Sequence, residues 1–404
     1  MIPFEQALSI VQEKISVARP GPQTESVRLD DSAGRILAGD VAADRDYPPF
    51  DRAIRDGFAV RAADLASLPT VLRLHGEVRA GQHFEGEVQA GECVSIMTGA
   101  PVPSGADSVV MMEYAESRGD GVEIRKSVHS GENLVSRGSE VKAGERVLER
   151  GQRLGPGEIG LLATVGKNPV AVFTKPRVAV LATGDELVPV KARPKSFQIR
   201  NSNALTLGAL VTDSGGTPLL LGVAPDRVDE LRTLIQEGLS ADLLLLSGGI
   251  SVGKYDYVAR VLAELGAEFY FQGVALRPGK PLAFGCVGKK PFFALPGNPI
   301  STFVTFTLFA RPALSALGGA AFAPALFLRA RLGESCSQKG QLSVFLPARV
   351  EQQGSEPVVS PVKWQGSGDL VALARANCFL VLHPHETHLN AGEWVNVLPK
   401  AGCG

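Results

Sequence analysis

Between residues 177 and 318 the chain alternates two periodicities, and that alternation limits its fold more than any other feature. Continuous apolar runs of strand length, Arg177-Val-Ala-Val-Leu-Ala, Asp242-Leu-Leu-Leu-Leu-Ser and Pro291-Phe-Phe-Ala-Leu, are separated by helical patterns such as Ala204 to Asp213 and Arg227 to Glu237. A strand apolar on both faces must be covered on both faces, so the pattern predicts a doubly wound, mostly parallel sheet with helices on each side. Ligands of such sheets bind beyond the carboxyl ends of the strands, where loop N–H groups and helix N-termini converge.

The flanking regions read differently. Phe4, Ala7, Leu8, Val11 and Ile15 recur at helical spacing, and Pro20-Gly21-Pro22 ends that helix. From Tyr47 to about Arg137, short β-like runs (Val71 to Leu74, Val94 to Met97, Ser108 to Met112, Val122 to Arg125) alternate with Gly, Pro and Asp clusters, which predicts a small β-barrel or sandwich. Pro156 suits the first turn of a helix running to Val165. After about Ala325, β-type segments return (Leu328 to Leu332, Ser343 to Leu346, Cys378 to Leu382, Trp394 to Leu398) and predict a separate β-domain. Ile300 to Leu328 is apolar for most of its length, but Arg311-Pro312, Gly318-Gly319 and Pro324 interrupt it, so it reads as a buried helix, a loop and a strand rather than a membrane span.

Composition bears on ligand and compartment. With 41 Lys and Arg against 42 Asp and Glu, the net charge is -1, so no global field favours nucleic acid or an anionic membrane, and an anionic ligand must be held locally. The five cysteines are scattered and form no C-x-x-C pair, which indicates neither a disulfide framework nor a zinc site and fits a reducing compartment. Met1-Ile-Pro-Phe-Glu-Gln lacks the regions of a signal peptide, so a cytoplasmic location is expected. The 45 Gly and 27 Pro, without a collagen period, imply many specified turns.

Several of those turns follow the apolar runs. They are Thr183-Gly-Asp-Glu-Leu187, Arg200-Asn-Ser-Asn203, Ser247-Gly-Gly-Ile-Ser-Val-Gly-Lys-Tyr-Asp-Tyr257, Arg277-Pro-Gly-Lys-Pro281 and Leu295-Pro-Gly-Asn-Pro-Ile-Ser301. Gly248 to Lys254 falls one residue short of a P-loop, since Tyr255 stands where a Ser or Thr should hold magnesium. Gly249-x-Ser251-x-Gly253 also fits a nucleophile elbow with Asp369 and His383 downstream, but Gly248-Gly249 intervene where the Ser should sit at the strand-to-helix turn. Phosphate and oxyanion binding with a hard metal suits the loops better. Successive Gly N–H groups form an anion nest, Lys280 and Arg277 add positive charge, and Glu186, Asp226 and Asp256 offer oxygens to magnesium. Asp226 in Ala-Pro-Asp-Arg also fits a plain helix N-cap. His383-Pro-His385-Glu-Thr-His388 reads as a solvated hairpin loop rather than a metal site.

Taken together, these loops resemble the molybdopterin molybdenumtransferase family, the MoeA proteins and the E domain of gephyrin. The resemblance rests on Pro48-Pro-Phe-Asp51 with Asp56-Gly57-Phe-Ala-Val-Arg61, on Ile96 to Pro103, and on the loops at 183–187, 247–257, 278–281 and 295–299. A weaker match covers Gly366 to Leu370 with Ala376-Asn-Cys378. It implies insertion of molybdate into adenylated molybdopterin, with magnesium-dependent release of AMP, by an elongated homodimer in transient contact with the adenylyltransferase one step earlier. It also implies a multidomain α/β plus β fold. Residues 1–45 and 138–176 form a split linker domain, 46–137 an inserted β-rich domain, 177–318 the molybdopterin-binding sheet domain, and 325–404 a C-terminal β-barrel-like domain.

By the same resemblance, Asp56 and Thr98 act across the dimer cleft, and Glu186, Asp226 and Asp256 act with magnesium and phosphate. Lys280 meets molybdate, Ser301 and Ser367 are weaker oxyanion contacts, and Ser247, Gly248, Gly249, Ser251, Gly253, Pro296 and Gly297 bind substrate. The chain departs from the family at Asp51-Arg-Ala-Ile-Arg55, where an Asn and a Ser are lost and two arginines gained, and at Gln341, where an arginine is common. No role is transferred to residues 52 to 55. Two other functions remain open at the level of sequence: an adenylyltransferase or other nucleotide-dependent enzyme on the same sheet, and a non-catalytic scaffold.

Overall fold

The runs of residues 177–318 build a six-stranded sheet in the computed structural model of the protein, which describes residues 1–18, 21–249, 257–338, 340–384, 386 and 388–400. The strand order is Thr217–Ala224, Arg177–Thr183, Leu243–Ser247, Lys290–Leu295, Ala283–Val287, Ala267–Gln272. The first four pair in parallel, and Ala283–Val287 runs antiparallel to both its neighbours. Alternate side chains of the central strands supply two cores. Val178, Val180, Leu243, Leu245, Phe293 and Leu295 lie beneath the helices Phe4–Ala18, Asn203–Asp213 and Pro299–Leu317. Ala179, Leu181, Leu244, Leu246, Phe292 and Ala294 lie beneath Val228–Gly238 and Tyr257–Glu264 on the other face. None of these twelve side chains is more than 1% exposed, so the sheet is covered on both faces, as the continuous apolar runs require.

The helix Pro299–Leu317 is a core element, 89% buried over its apolar window. Its middle turn, Phe306–Ala310, widens to π-helix immediately before Arg311-Pro312, where proline has no N–H to give to the preceding turn. The opening helix buries Ala7, Val11 and Ile15 in the same core. Its destination is therefore the sheet unit, although it precedes the linker segments in sequence.

Those segments meet through two short antiparallel pairs, Thr24–Val27 with Val170–Phe173 and Val41–Ala42 with Arg146–Leu148. They enclose Leu37, Leu154, Val170 and Val172 together with Leu162 of the helix Pro156–Thr164. Pro156 opens that helix, and the Glu158 carboxylate accepts the Gly155 N–H at 2.9 Å. A third pair, Arg52–Ala53 with Leu134–Val135, carries the chain into and out of a second six-stranded sheet. This inserted sheet has the order Ser108–Met111, Gly57–Val60, Glu92–Ile96, Thr70–Val78, Gly121–Ile124, Ala115–Arg118, with a small apolar cluster on either side.

The C-terminal region closes on itself. The long strand Ser343–Gln353 pairs with Cys378–Leu382 along its first half and with Glu356–Pro361 along its second. The remaining pairings run through Leu328–Leu332 and Trp394–Pro399 back to Cys378–Leu382, giving a five-stranded barrel. Phe379 on its wall packs 5.8 Å from Phe303, centroid to centroid, and so joins the barrel to the sheet unit.

Phe293 is fully buried and stacks on Phe284 at 4.6 Å. Phe293→Ala is expected to lower the stability of the sheet unit by about 3–5 kcal/mol, read as a shift of its urea-unfolding midpoint.

Candidate active site

Thr183 and Ser247 end neighbouring parallel strands, and the chain leaves them toward helices on opposite faces, Asn203–Asp213 after the first and Tyr257–Glu264 after the second. This is the switch point at which an open α/β sheet has a crevice. A cleft of about 830 Å³ occupies it. Its walls include Thr183, Gly184, Glu186, Arg200, Asn203, Asp226, Ser247, Gly248, Gly249, Pro296 and Gly297, with Gly368 and Leu370 arriving from the C-terminal region.

The floor admits only glycine at two positions. Gly248 and Gly249 have φ of +93° and +69°. A Cβ on Gly248 would sit 2.6 Å from the Thr183 carbonyl oxygen, and one on Gly249 would sit 2.5 Å from Val258 Cγ2. Asn203 ties the strand ends together: its Nδ2 donates to Ser247 Oγ at 2.9 Å and to the Gly297 carbonyl at 2.7 Å. Its neighbour Asn201 instead caps the helix, accepting the Ala204 N–H at 3.1 Å. Among the described residues, Asn203 Oδ1 and Thr183 Oγ1, buried beside the cleft, have no hydrogen-bond partner.

Three carboxylates cluster at one wall. Glu186 folds back over Gly184, where an added Cβ would meet its Oε2 at 2.5 Å. Asp185 Oδ1 accepts the Asp226 N–H at 3.1 Å. Burial, and then the charges of Asp185 and Glu186, push the Asp226 carboxyl above its ordinary value. Asp226 does not stand at the helix cap: the cap position of Val228–Gly238 is Arg227, which makes no side-chain cap bond among the described residues. Among the described residues no three His, Cys, Asp or Glu side chains form a closed metal cage. Magnesium does not need one: it binds through one or two carboxylates and completes its shell with water and substrate phosphate. Glu186 and Asp226 are hard oxygen donors on one cleft, beside the buried Thr183 hydroxyl that has no partner among the described residues, and they fit that ion.

The other expected residues are distributed as follows. Ser247, Gly248, Gly249, Pro296 and Gly297 line the cleft. Lys280 is exposed on the turn before Pro281, which lines the cleft, and Lys280 itself does not. Ser301 is buried in the first turn of the helix Pro299–Leu317, and the Ser367 carbonyl accepts the Ile300 N–H at 2.9 Å, which holds the Gly366 to Leu370 loop on the cleft rim. Asp56 and Thr98 belong to the region of the inserted sheet and are absent from the cleft walls. The Thr98 N–H and hydroxyl donate to Asp56 Oδ1 at 2.7 and 2.9 Å and hold that carboxyl below the usual range. Ser251, Gly253 and Asp256 lie outside the described residues, as does His385.

Among the described residues Asp369 and His383, the other members of a hydrolase arrangement, are not paired with each other. Asp369 spends its carboxylate on the N–H groups of Ala372 and Gln365, and His383 Nε2 meets Asn396 Nδ2 at 2.9 Å. His388 is exposed on a short strand paired with Cys336–Ser337. Sequence reasoning did not single out Asp185, Thr183, Arg200 or Asn203. Asn203 stands at a helix start, where an amide signals a cap, and nothing in its neighbourhood marks it as a brace between strands.

Because folding raises the proton affinity of Asp226, the folded state binds that proton more tightly than the unfolded chain, and stability falls as pH rises above the ordinary value of 3.8. Asp226→Asn removes this loss. In magnesium-free buffer the variant is expected to melt at a higher temperature than the wild type at pH 7, with the difference shrinking toward pH 3.8, as measured by thermal unfolding across pH.

Comparisons with known proteins agree along the whole chain. Residues 2–166 match the MoeA N-terminal region (domain I and II), residues 179–316 a probable molybdopterin binding domain, and residues 329–400 the MoeA C-terminal region (domain IV). A molybdopterin molybdenumtransferase of Bacillus subtilis (strain 168) is 34% identical over 385 residues, covering 93% of this chain and 90% of that protein. One from Nostoc sp. (strain PCC 7120 / SAG 25.82 / UTEX 2576) is 35% identical over 386 residues, covering 93% and 88%. The crystal structure of a molybdopterin biosynthesis MoeA protein from Pyrococcus horikosii superposes with a TM-score of 0.79 at 34% identity, covering 100% of both chains. With its three regions matched in order and its fold shared from end to end, the chain belongs to the MoeA family.

Proposed function

We propose that this MoeA-family transferase of molybdenum cofactor biosynthesis inserts molybdate into adenylated molybdopterin and releases AMP. One observation carries the reading: a cleft of about 830 Å³ at the sheet's switch point sets a glycine-built edge against a wall of carboxylates. That volume is in the range of sites that enclose nucleotide-sized ligands. Relatives named molybdopterin molybdenumtransferase, 34–35% identical over most of the chain, support the same substrate class.

In this reading the Gly248-Gly249 and Gly297 turns approach the phosphates closely, because no side chain stands between their backbone and the ligand. Lys280, on the turn beside the cleft, receives the tetrahedral dianion. Asn203 keeps the ends of the strands Leu243–Ser247 and Lys290–Leu295 in register while the anhydride is positioned. Glu186 and Asp226, with Asp256, hold magnesium, which when bound neutralises phosphate charge as the anhydride opens. Burial first, and then the charges of Asp185 and Glu186, disfavour the charged Asp226 carboxylate, and a divalent cation favours it. Asp56 and Thr98, absent from the cleft walls, are assigned to the cleft of a second copy in a homodimer. A transient complex with the adenylyltransferase passes on the substrate, and Cys93, Cys286 and Cys336, unpaired among the described residues, accord with the cytoplasm.

Purified protein incubated with adenylated molybdopterin, magnesium and molybdate is expected to release AMP only when molybdate is present. Glu186→Gln and Asp226→Asn are each expected to lower kcat at least about tenfold while the protein stays folded. AMP release that ignores molybdate, or ATP consumption in its absence, overturns the reading in favour of another nucleotide-dependent enzyme.

A further inference from the structure

We propose that Arg200 is an anion-binding residue of the cleft, and that the loop leading to it recruits the substrate's phosphates. Arg200 is the one cation among the described residues of the cleft wall, which otherwise carries the carboxylates Glu186 and Asp226. Its backbone is fixed against the acidic turn: Ile199–Arg200 pairs in parallel with Leu187–Val188, the Ile199 N–H reaches the Glu186 carbonyl at 2.9 Å, and the Asn201 N–H reaches that of Val188 at 2.9 Å. Its side chain is braced too. Nε donates to the Val190 carbonyl at 2.9 Å, and the two terminal nitrogens have no partner among the described residues. A guanidinium held by Nε and free at both ends is preorganised for two parallel bonds to a phosphate.

The loop adds a field to this point. From Val188 to Arg200 it carries Lys191, Arg193, Lys195 and Arg200 and no Asp or Glu, in a chain whose net charge is -1. All four cations are exposed, and none has a carboxylate within 4.0 Å among the described residues, whereas arginines elsewhere form pairs such as Arg125 with Glu123. A local excess of four charges on a loop that leaves the cleft wall at Leu187 and returns to it at Ile199 draws in an anion that the carboxylate wall alone repels. This inference rests on the reaction proposed above, because it takes the ligand to be a phosphoanhydride.

The test is binding, not turnover. ADP with magnesium is titrated calorimetrically onto the full chain, with adenosine as the phosphate-free control. Arg200→Gln is expected to weaken ADP about tenfold, and Arg200→Lys to recover part of that loss. Replacing Lys191, Arg193 and Lys195 together by Gln is expected to slow ADP association several-fold at low salt and to have no effect at about 0.5 M salt. An Arg200→Gln protein that binds ADP as the wild type does overturns the inference, and so does a wild type that binds ADP no better than adenosine. Absence of molybdate-dependent AMP release in the wild type overturns the assigned reaction instead and leaves this comparison intact.

Discussion

The burial of both faces of the central strands is the constraint on which the rest depends. Once Leu243 to Leu246 are sealed above and below and hydrogen-bonded on either side, the only part of that strand open to a ligand is its end. Each buried Leu, Val or Phe contributes about 1.5–3 kcal/mol, so the strands have no freedom to shift, and the loops after them inherit a fixed origin. That rigidity lets two glycines at φ > 0 and an asparagine brace define a cleft edge without further scaffolding.

Charge is arranged around that edge with a division of labour. Carboxylates sit on the turn after the first strand and at the end of its neighbour, close enough to disturb one another. The positive groups form no ion pair with them among the described residues: Arg200 stands on the short strand paired beside the acidic turn, with its Nε given to the Val190 carbonyl, and Lys280 on an exposed turn. A site for a polyanion that requires a metal benefits from such separation. Cations packed against Asp185, Glu186 and Asp226 would form ion pairs and silence both partners, at the cost of the desolvation that buried pairs incur.

What the sequence discloses follows the same physics. The apolar runs at 177, 242 and 291 are legible because strands buried on both faces leave no polar position to confuse the period. Thr217–Ala224 is apolar from Pro218 to Ala224 as well, although it lies at the sheet edge and is only partly covered, with Thr217 and Leu220 exposed. Local chemistry misleads where a residue's partner is distant. Asp226 reads as a cap from its neighbours and turns out to interact with a turn some forty residues away, while Asn203 reads as a helix start and holds Gly297. The opening helix shows its amphipathic face in the sequence but not the surface that receives it, and barrel closure depends on Ser343–Gln353 changing partners halfway along its length.

The chain enters and leaves the inserted sheet through an antiparallel pair in which Ala53 faces Leu134, with Tyr47 and Val141 bridged just outside it. Topologically, residues 54–133 are therefore one long excursion whose two ends the host already holds side by side. The entropy of closing such an excursion grows only as the logarithm of its length, by about 0.6 kcal/mol for each doubling. The host is thus nearly indifferent to how much chain the excursion contains, and the size and shape of the inserted unit are free to be set by whatever it must reach.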